Sequence, residues 1–347
     1  MGTRRAFVLA FIICTSVYLI HPIAGQCASN ELTVAVHGGT FAETMKKCYI
    51  EPFEKRYNAK VNVVIGASTD QLAKLRAQKN DPQLDIPYMD WEVAVQAKSE
   101  GLLEKLDQSK IPNISQAYDI LIDKDGYLLG QYFSATILAY NTNFVKEAPR
   151  SWKDLWDPKY KGKIALSDIT GTAGYHSLLM INKAFGGDIT NLAPAFDALK
   201  KLKGGIVTFF HHPDMLISLV QRGEVWIATW YADRTGAAQR IGVPIAFSIP
   251  KEGAAGIRGS LSITKGSKNR DLAEKYINMA LTPECQACLA ENSSLGPANK
   301  NVKLSPEIAK KVVYGPEQID SLYFPDAQYV SEHRAEWSER WNKEITK

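Results

Sequence analysis

Short β-branched apolar runs alternate with amphipathic stretches along most of the chain. The run Glu31-Leu32-Thr33-Val34-Ala35-Val36 passes into His37-Gly38-Gly39-Thr40 and then into a helical pattern over 41–57. A second strand is predicted over 61–65, followed by Gly66-Ala67-Ser68-Thr69 and a helix over 70–78. A third is predicted over 85–90, where Pro87 argues for a sheet edge or a bulge, and a helix follows over 92–101. Strand, loop and helix recurring at about thirty-residue spacing predict a parallel α/β sheet.

The segment 127–142 is apolar, rich in β-formers and free of turn signals, as expected of a chain crossing from one lobe to another. A second α/β region follows. Strands are predicted over 163–166, 205–210, 224–230 and 243–249, with helices over 175–185 and 192–202 and one opened by Pro213. A small-residue loop occupies 167–174. Residues 259–264 look like a return crossing, and helices are expected over 269–280, 283–291, 306–312 and 331–345. Lobe 1 is therefore placed at 29–139 with 258–300 and lobe 2 at 140–257. Residues 301–347 form a C-terminal helical segment assigned to neither lobe. A ligand would sit between the lobes, beyond the carboxyl ends of the strands.

Composition adds little beyond ordinary globular character: 22% of residues are charged, 45% are hydrophobic and the net charge is +4. No basic stripe suggests nucleic acid as a partner. The amino terminus says more. Arg4 and Arg5 precede an apolar run over 6–20, and small residues follow at Ala24, Gly25 and Ala28. This is the layout of a secretory signal over 1–28, and the run is short for a retained membrane anchor. Thr3-Arg4-Arg5-Ala6-Phe7-Val8 resembles a twin-arginine export signal and fits a simple basic leader equally well. Ala24-Gly25-Gln26-Cys27 has a lipoprotein box out of register. Past the leader, Cys48, Cys285 and Cys288 leave an odd thiol in an oxidising compartment. Cys285 and Cys288 at the start of a helix read as a redox pair, as small buried residues on one helical face or as a structural disulfide.

One phrase is more distinctive: Ser151-Trp152-Lys153-Asp154-Leu155-Trp156-Asp157-Pro158-Lys159-Tyr160-Lys161-Gly162-Lys163. With Leu138-Ala139-Tyr140-Asn141-Thr142, Gly223-Glu224-Val225-Trp226-Ile227-Ala228, Phe247 to Gly253 and Leu295-Gly296-Pro297-Ala298-Asn299, it resembles the family-1-type extracellular solute-binding proteins of ABC transporters. The likeness is to their polyamine-binding branch. The resemblance implies a type II periplasmic binding protein fold, two α/β lobes joined by crossing strands with a ligand cleft between. It also implies a periplasmic monomer that takes a small molecule, closes by a hinge and docks on a membrane permease, without cofactor or catalysis. No nucleophile motif points to an enzyme. A ferric-ion or other metal-binding receptor of the same fold is the alternative within the class, and an enzyme on a two-lobed α/β fold is the alternative from outside it. The branch differs in its acids: only Asp233 stands out as an amine anchor, beside Arg234, which favours a smaller solute bearing an amine and an acid group.

The candidate ligand residues cluster at predicted strand ends. In Trp230-Tyr231-Ala232-Asp233-Arg234, Asp233 would accept from an ammonium, Trp230 would offer a face to a cation and Arg234 would grip a carboxylate. Equally, Asp233 would cap the following helix and Trp230 would be core. Gly39 and Thr40 follow the first strand, where backbone can approach a ligand or simply turn. Thr170 and Thr172 suit carboxylate binding or helix capping, and Ser68 is a weaker version. Asp90 and Trp91 end the third strand, reaching the cleft or serving as cap and core. Arg258 lies near the return crossing. His211 and His212, as neighbours on a strand, would face opposite ways and could not share a metal.

Overall fold

Twelve strands are present among the described residues of the computed structural model, which are 30–212 and 215–347 together with Gly2. They are β1 (Glu31–Val36), β2 (Lys60–Ile65), β3 (Ile86–Asp90), β4 (Leu103–Glu104), β5 (Leu129–Asn141), β6 (Ile164–Ser167), β7 (Ile206–Phe210), β8 (Ile227–Tyr231), β9 (Ile245–Ser248), β10 (Ala255–Leu261), β11 (Ile263–Thr264) and β12 (Gly296–Pro297). The leader and the start expected at Pro213 lie outside the described residues. No described helix is long and apolar enough to cross a membrane.

The main sheet runs β2-β1-β3-β10-β5-β8-β6-β7, with β9 and β12 also paired to β5. Its outer thirds are parallel: β1 with β2 and β3, and β6 with β7 and β8. The middle pair, β5 and β10, is antiparallel. The first part of β5 pairs with β10, and Thr136–Tyr140 pair with β8. This one 13-residue strand therefore belongs to both halves. Nearly every residue of β5 and all of β10 are buried, which explains why 127–142 reads as a continuous apolar run.

Several expectations are shifted. Pro87 is not at an edge, because β3 lies between β1 and β10. Its position is tolerated because Ile86 and Pro87 pair only with β1 and the β10 ladder starts at Tyr88. The helix expected over 41–57 is divided into Thr40–Met45 and Glu51–Tyr57 by a wider turn at Lys46–Ile50. Pro52 accounts for this, having no N–H to continue the α-helical ladder. The return crossing begins at Ala255, four residues earlier than the sequence suggested.

Cys48, on that wide turn, is bonded to Cys288 on the helix Pro283–Ser293, with Cα atoms 5.6 Å apart. Cys285 is free and buried, and burial pushes its thiol pKa up. A redox-active Cys285/Cys288 pair is thereby replaced by a long-range structural bond and an inert thiol.

The C-terminal helix Ala327–Trp341 packs on the helix Trp91–Ser99, next to β3. At its far end, the Trp341 ring meets Phe209 of β7 edge-on, with centroids 5.3 Å apart. The segment after 300 thus touches both halves of the molecule.

Candidate ligand-binding site

The carboxyl ends of all six parallel strands converge on one cavity of about 570 Å³. From the β1 side come His37, Gly38 and Gly39, with the Gly66–Asp70 turn after β2 and Asp90 at the end of β3. From the other side come Thr170, Gly171 and Thr172 after β6, His211 and His212 after β7, and Tyr231, Asp233 and Arg234 after β8. Tyr132 and Ser134 of β5 line the wall between them. Arg334 reaches in from the C-terminal helix. Gly39 has φ 68°, a left-handed conformation that suits glycine, and it lets the chain turn tightly into its helix. A Cβ on Gly174 would overlap the Asp168 carbonyl, so glycine is what lets the helix Thr172–Ala184 start against the loop.

Hydrogen bonds bridge the cleft. The Thr172 hydroxyl donates to the Asp90 carboxylate. Arg234 Nη1 donates to Thr40 Oγ1 at 3.4 Å. Behind them, the buried Tyr175 hydroxyl donates to Glu92 Oε2 at 3.2 Å.

Asp233 carries the site's main electrostatic feature. The helix after β8 starts at Ala232, so Asp233 lies in its first turn and does not cap it. Ser134 Oγ donates to Asp233 Oδ1 at 2.5 Å, and Arg234 Nε stands 3.8 Å from Oδ2. Burial raises the carboxyl pKa, and Arg234 opposes the shift. Burial lowers the pKa of His37, against the pull of Asp90 at 3.9 Å, so the ring is neutral at neutral pH. The Tyr231 hydroxyl accepts from the Ala173 N–H at 3.2 Å, which leaves its own proton to donate.

Gly39, Ser68, Asp90, Thr170, Thr172, Tyr231, Asp233 and Arg234 all line the cavity, and Thr40 stands at its rim under Arg234. Trp91, Trp230 and Arg258 do not line it. Trp230 precedes the cleft-facing Tyr231, and neighbours on a strand point to opposite faces; its ring is fully buried in the core. Trp91 is buried at the start of its helix and carries the Arg258 guanidinium on its ring at 4.4 Å. Arg258 also lies over Phe324 at 4.9 Å and donates to the Ile120 carbonyl, which fixes it as a structural brace. His211 and His212 sit past the end of β7 on a bend, so both reach the cavity and the opposite-face argument does not apply.

The site also holds groups that sequence reasoning did not single out. Asp70 joins Asp90 and Asp233, so three carboxylates line the cavity where one had stood out as an amine anchor. The Asp70 carboxylate accepts from the Ala67 N–H at 3.0 Å. Tyr132 was hidden within the crossing strand. Arg334 carried one signal: with Val330, Trp337 and Trp341 it falls on a single stripe of its helix, the stripe that is otherwise buried.

Two half-sheets joined by β5 and β10, with every parallel strand ending at a shared polar cleft, describe a solute receptor. Residues 48–314 match the family of bacterial extracellular solute-binding proteins. The chain belongs to that family. Its relatives include the spermidine/putrescine-binding periplasmic protein of Escherichia coli, 28% identical over 300 residues, covering 83% of this chain and 82% of the relative. The gamma-aminobutyric acid-binding protein of Pseudomonas aeruginosa is 26% identical over 348 residues, with 92% of each covered. The crystal structure of an ABC transporter protein from Clostridium perfringens is 30% identical, with a TM-score of 0.75, covering 91% of this chain and all of that one. The fold is that of the periplasmic binding proteins, as the sequence resemblance implied.

Proposed function

We propose that the chain is the periplasmic receptor of an ABC importer for a small amine-bearing solute, and that Asp233 anchors the amine. The observation that carries this reading is the partly buried Asp233 carboxylate facing the cavity, held by Ser134 and only loosely met by Arg234. The names of the polyamine- and gamma-aminobutyric acid-binding relatives support the same ligand chemistry. In this reading residues 29–139 with 258–300 and residues 140–257 move as two lobes about β5 and β10. The bonds Thr172–Asp90 and Arg234–Thr40 form as they close. The closed form delivers the solute to a permease, and the protein leaves its ligand chemically unchanged.

Asp233→Asn keeps the shape and removes the charge. Isothermal titration with a panel of diamines and amino acids should show the best ligand of the native protein weakened by about 1.5–3 kcal/mol, the scale of a hydrogen bond to a charged group. The Asp233 share of the affinity needs the ionised carboxylate, and burial raises the pKa of that group. That share should fade as pH falls through a value above the ordinary carboxylate range, and the variant should lack that dependence. Unchanged affinity in Asp233→Asn would remove Asp233 as the anchor.

A further inference from the structure

The cleft holds two guanidinium groups in different circumstances. Arg234 already has partners, though not tight ones: Asp233 stands 3.8 Å from its Nε, and its Nη1 donates to Thr40 across the cleft. Arg334 lines the same cavity, yet among the described residues no carboxylate lies within ion-pair distance of it. Its contacts are the Thr170 carbonyl, which accepts from Nη2, and the Tyr175 ring, 4.7 Å below its carbon centre. A guanidinium has five N–H donors, so most of this fork is unspent.

The placement of Arg334 is also fixed. It is four residues after Val330, three before Trp337 and seven before Trp341, so all four lie along one face of the helix. Those three neighbours are buried. A surface arginine would be expected on the opposite face. This one is presented inward by a helix anchored on both halves of the molecule.

We propose that Arg334 is the specificity-determining residue for an acid group on the solute, so that the ligand is a zwitterion with its amine at Asp233 and its carboxylate at Arg334. This rests on the amine reading above, and it moves the acid-binding role from Arg234 to the C-terminal helix. Thr170 and Thr172 supply neighbouring hydroxyls, and the 13-residue helix Thr172–Ala184 turns its positive end toward the same corner. A diamine would place an ammonium against an uncompensated guanidinium and be disfavoured.

Matched ligands test this: 4-aminobutyrate against 1,4-diaminobutane, and 5-aminopentanoate against 1,5-diaminopentane, titrated calorimetrically. The native protein should prefer the amino acid of at least one pair by tenfold or more. Arg334→Gln should lose about ten- to a hundredfold for that amino acid, as expected for a charge-assisted bond. It should leave the diamine within about threefold. A purely structural role would weaken both members of a pair alike, and that result would overturn the proposal. So would a native preference for the diamine, although it would leave the amine reading standing. Native protein that binds no amine would sink both. Should Arg334→Gln not fold, Arg334→Lys keeps the charge and loses the planar fork. A preference lowered several-fold supports the guanidinium, and an unchanged preference overturns it.

Discussion

Replacing Trp230 by alanine should destabilise the protein by about 3–5 kcal/mol, the usual cost of emptying a large buried aromatic site. The affinity of the folded protein for its solute should stay within about threefold. The Trp230 side chain is fully buried at the centre of the sheet, opposite Ile137 of β5. A void there is bounded by the closely packed side chains of the core, which relax only in part, so the lost contacts are not fully regained. Urea unfolding followed by circular dichroism would measure the first effect and titration in buffer the second. An unchanged unfolding midpoint with lost binding would return Trp230 to the ligand site, where its sequence context first suggested it.

The second large effect concerns the disulfide. Converting Cys48 and Cys288 together to serine should cost about 2–4 kcal/mol, because the bond closes a long loop in the unfolded chain. The bond spans 240 residues and ties the wide turn after the first strand to a helix near the end of the matched region. Cys285→Ser should be much milder, since that thiol is unpaired and its neighbour in sequence is already bonded. Chemical denaturation with and without reductant separates these cases. A peptide map showing Cys285 joined to Cys288, or a reductant-insensitive midpoint, would contradict the assignment.

Much of this molecule is legible in its sequence, and the reason is periodicity. Strands buried on both faces read as apolar runs, and each parallel strand is followed by a small or polar loop, so the cleft loops could be found by following the strands to their ends. That logic located Gly39, Ser68, Asp90, Thr170, Thr172 and Asp233 on the cavity wall. Side-chain parity within a strand was less legible. An error of a single residue exchanges Trp230 for Tyr231, and the predicted strand stopped one residue short of its observed end. Helix starts carry the same sensitivity: Asp233 looked like a cap only because the helix was begun two residues late. Contacts between distant segments leave almost no local trace. Nothing near Cys288 points to Cys48, and nothing near Thr170 points to Arg334. The acids were undercounted for a related reason, since Asp70 joins Asp90 and Asp233 in one site only when β2 and β3 flank β1.

The Glu92–Tyr175 contact shows what lies behind the ligand wall. Burial raises the Glu92 carboxyl pKa, with the nearby Arg258 opposing the shift. His176, next in sequence to Tyr175, is pushed down to about 3 by burial, helped by the charges of Arg334 and Arg258. It stays neutral in the folded protein at any ordinary pH. Charged and neutral groups in this layer are set by the fold, which leaves the cavity itself to Asp70, Asp90, Asp233, Arg234 and Arg334.

The central claim is that this cleft holds one small amine-bearing molecule and returns it unaltered. Native mass spectrometry of the protein mixed with the amine and amino-acid panel tests that directly. A single one-to-one complex is expected, released with the ligand mass unchanged and clearly weakened in Asp233→Asn. A bound metal ion with no organic ligand, or a ligand recovered at a new mass, would contradict it.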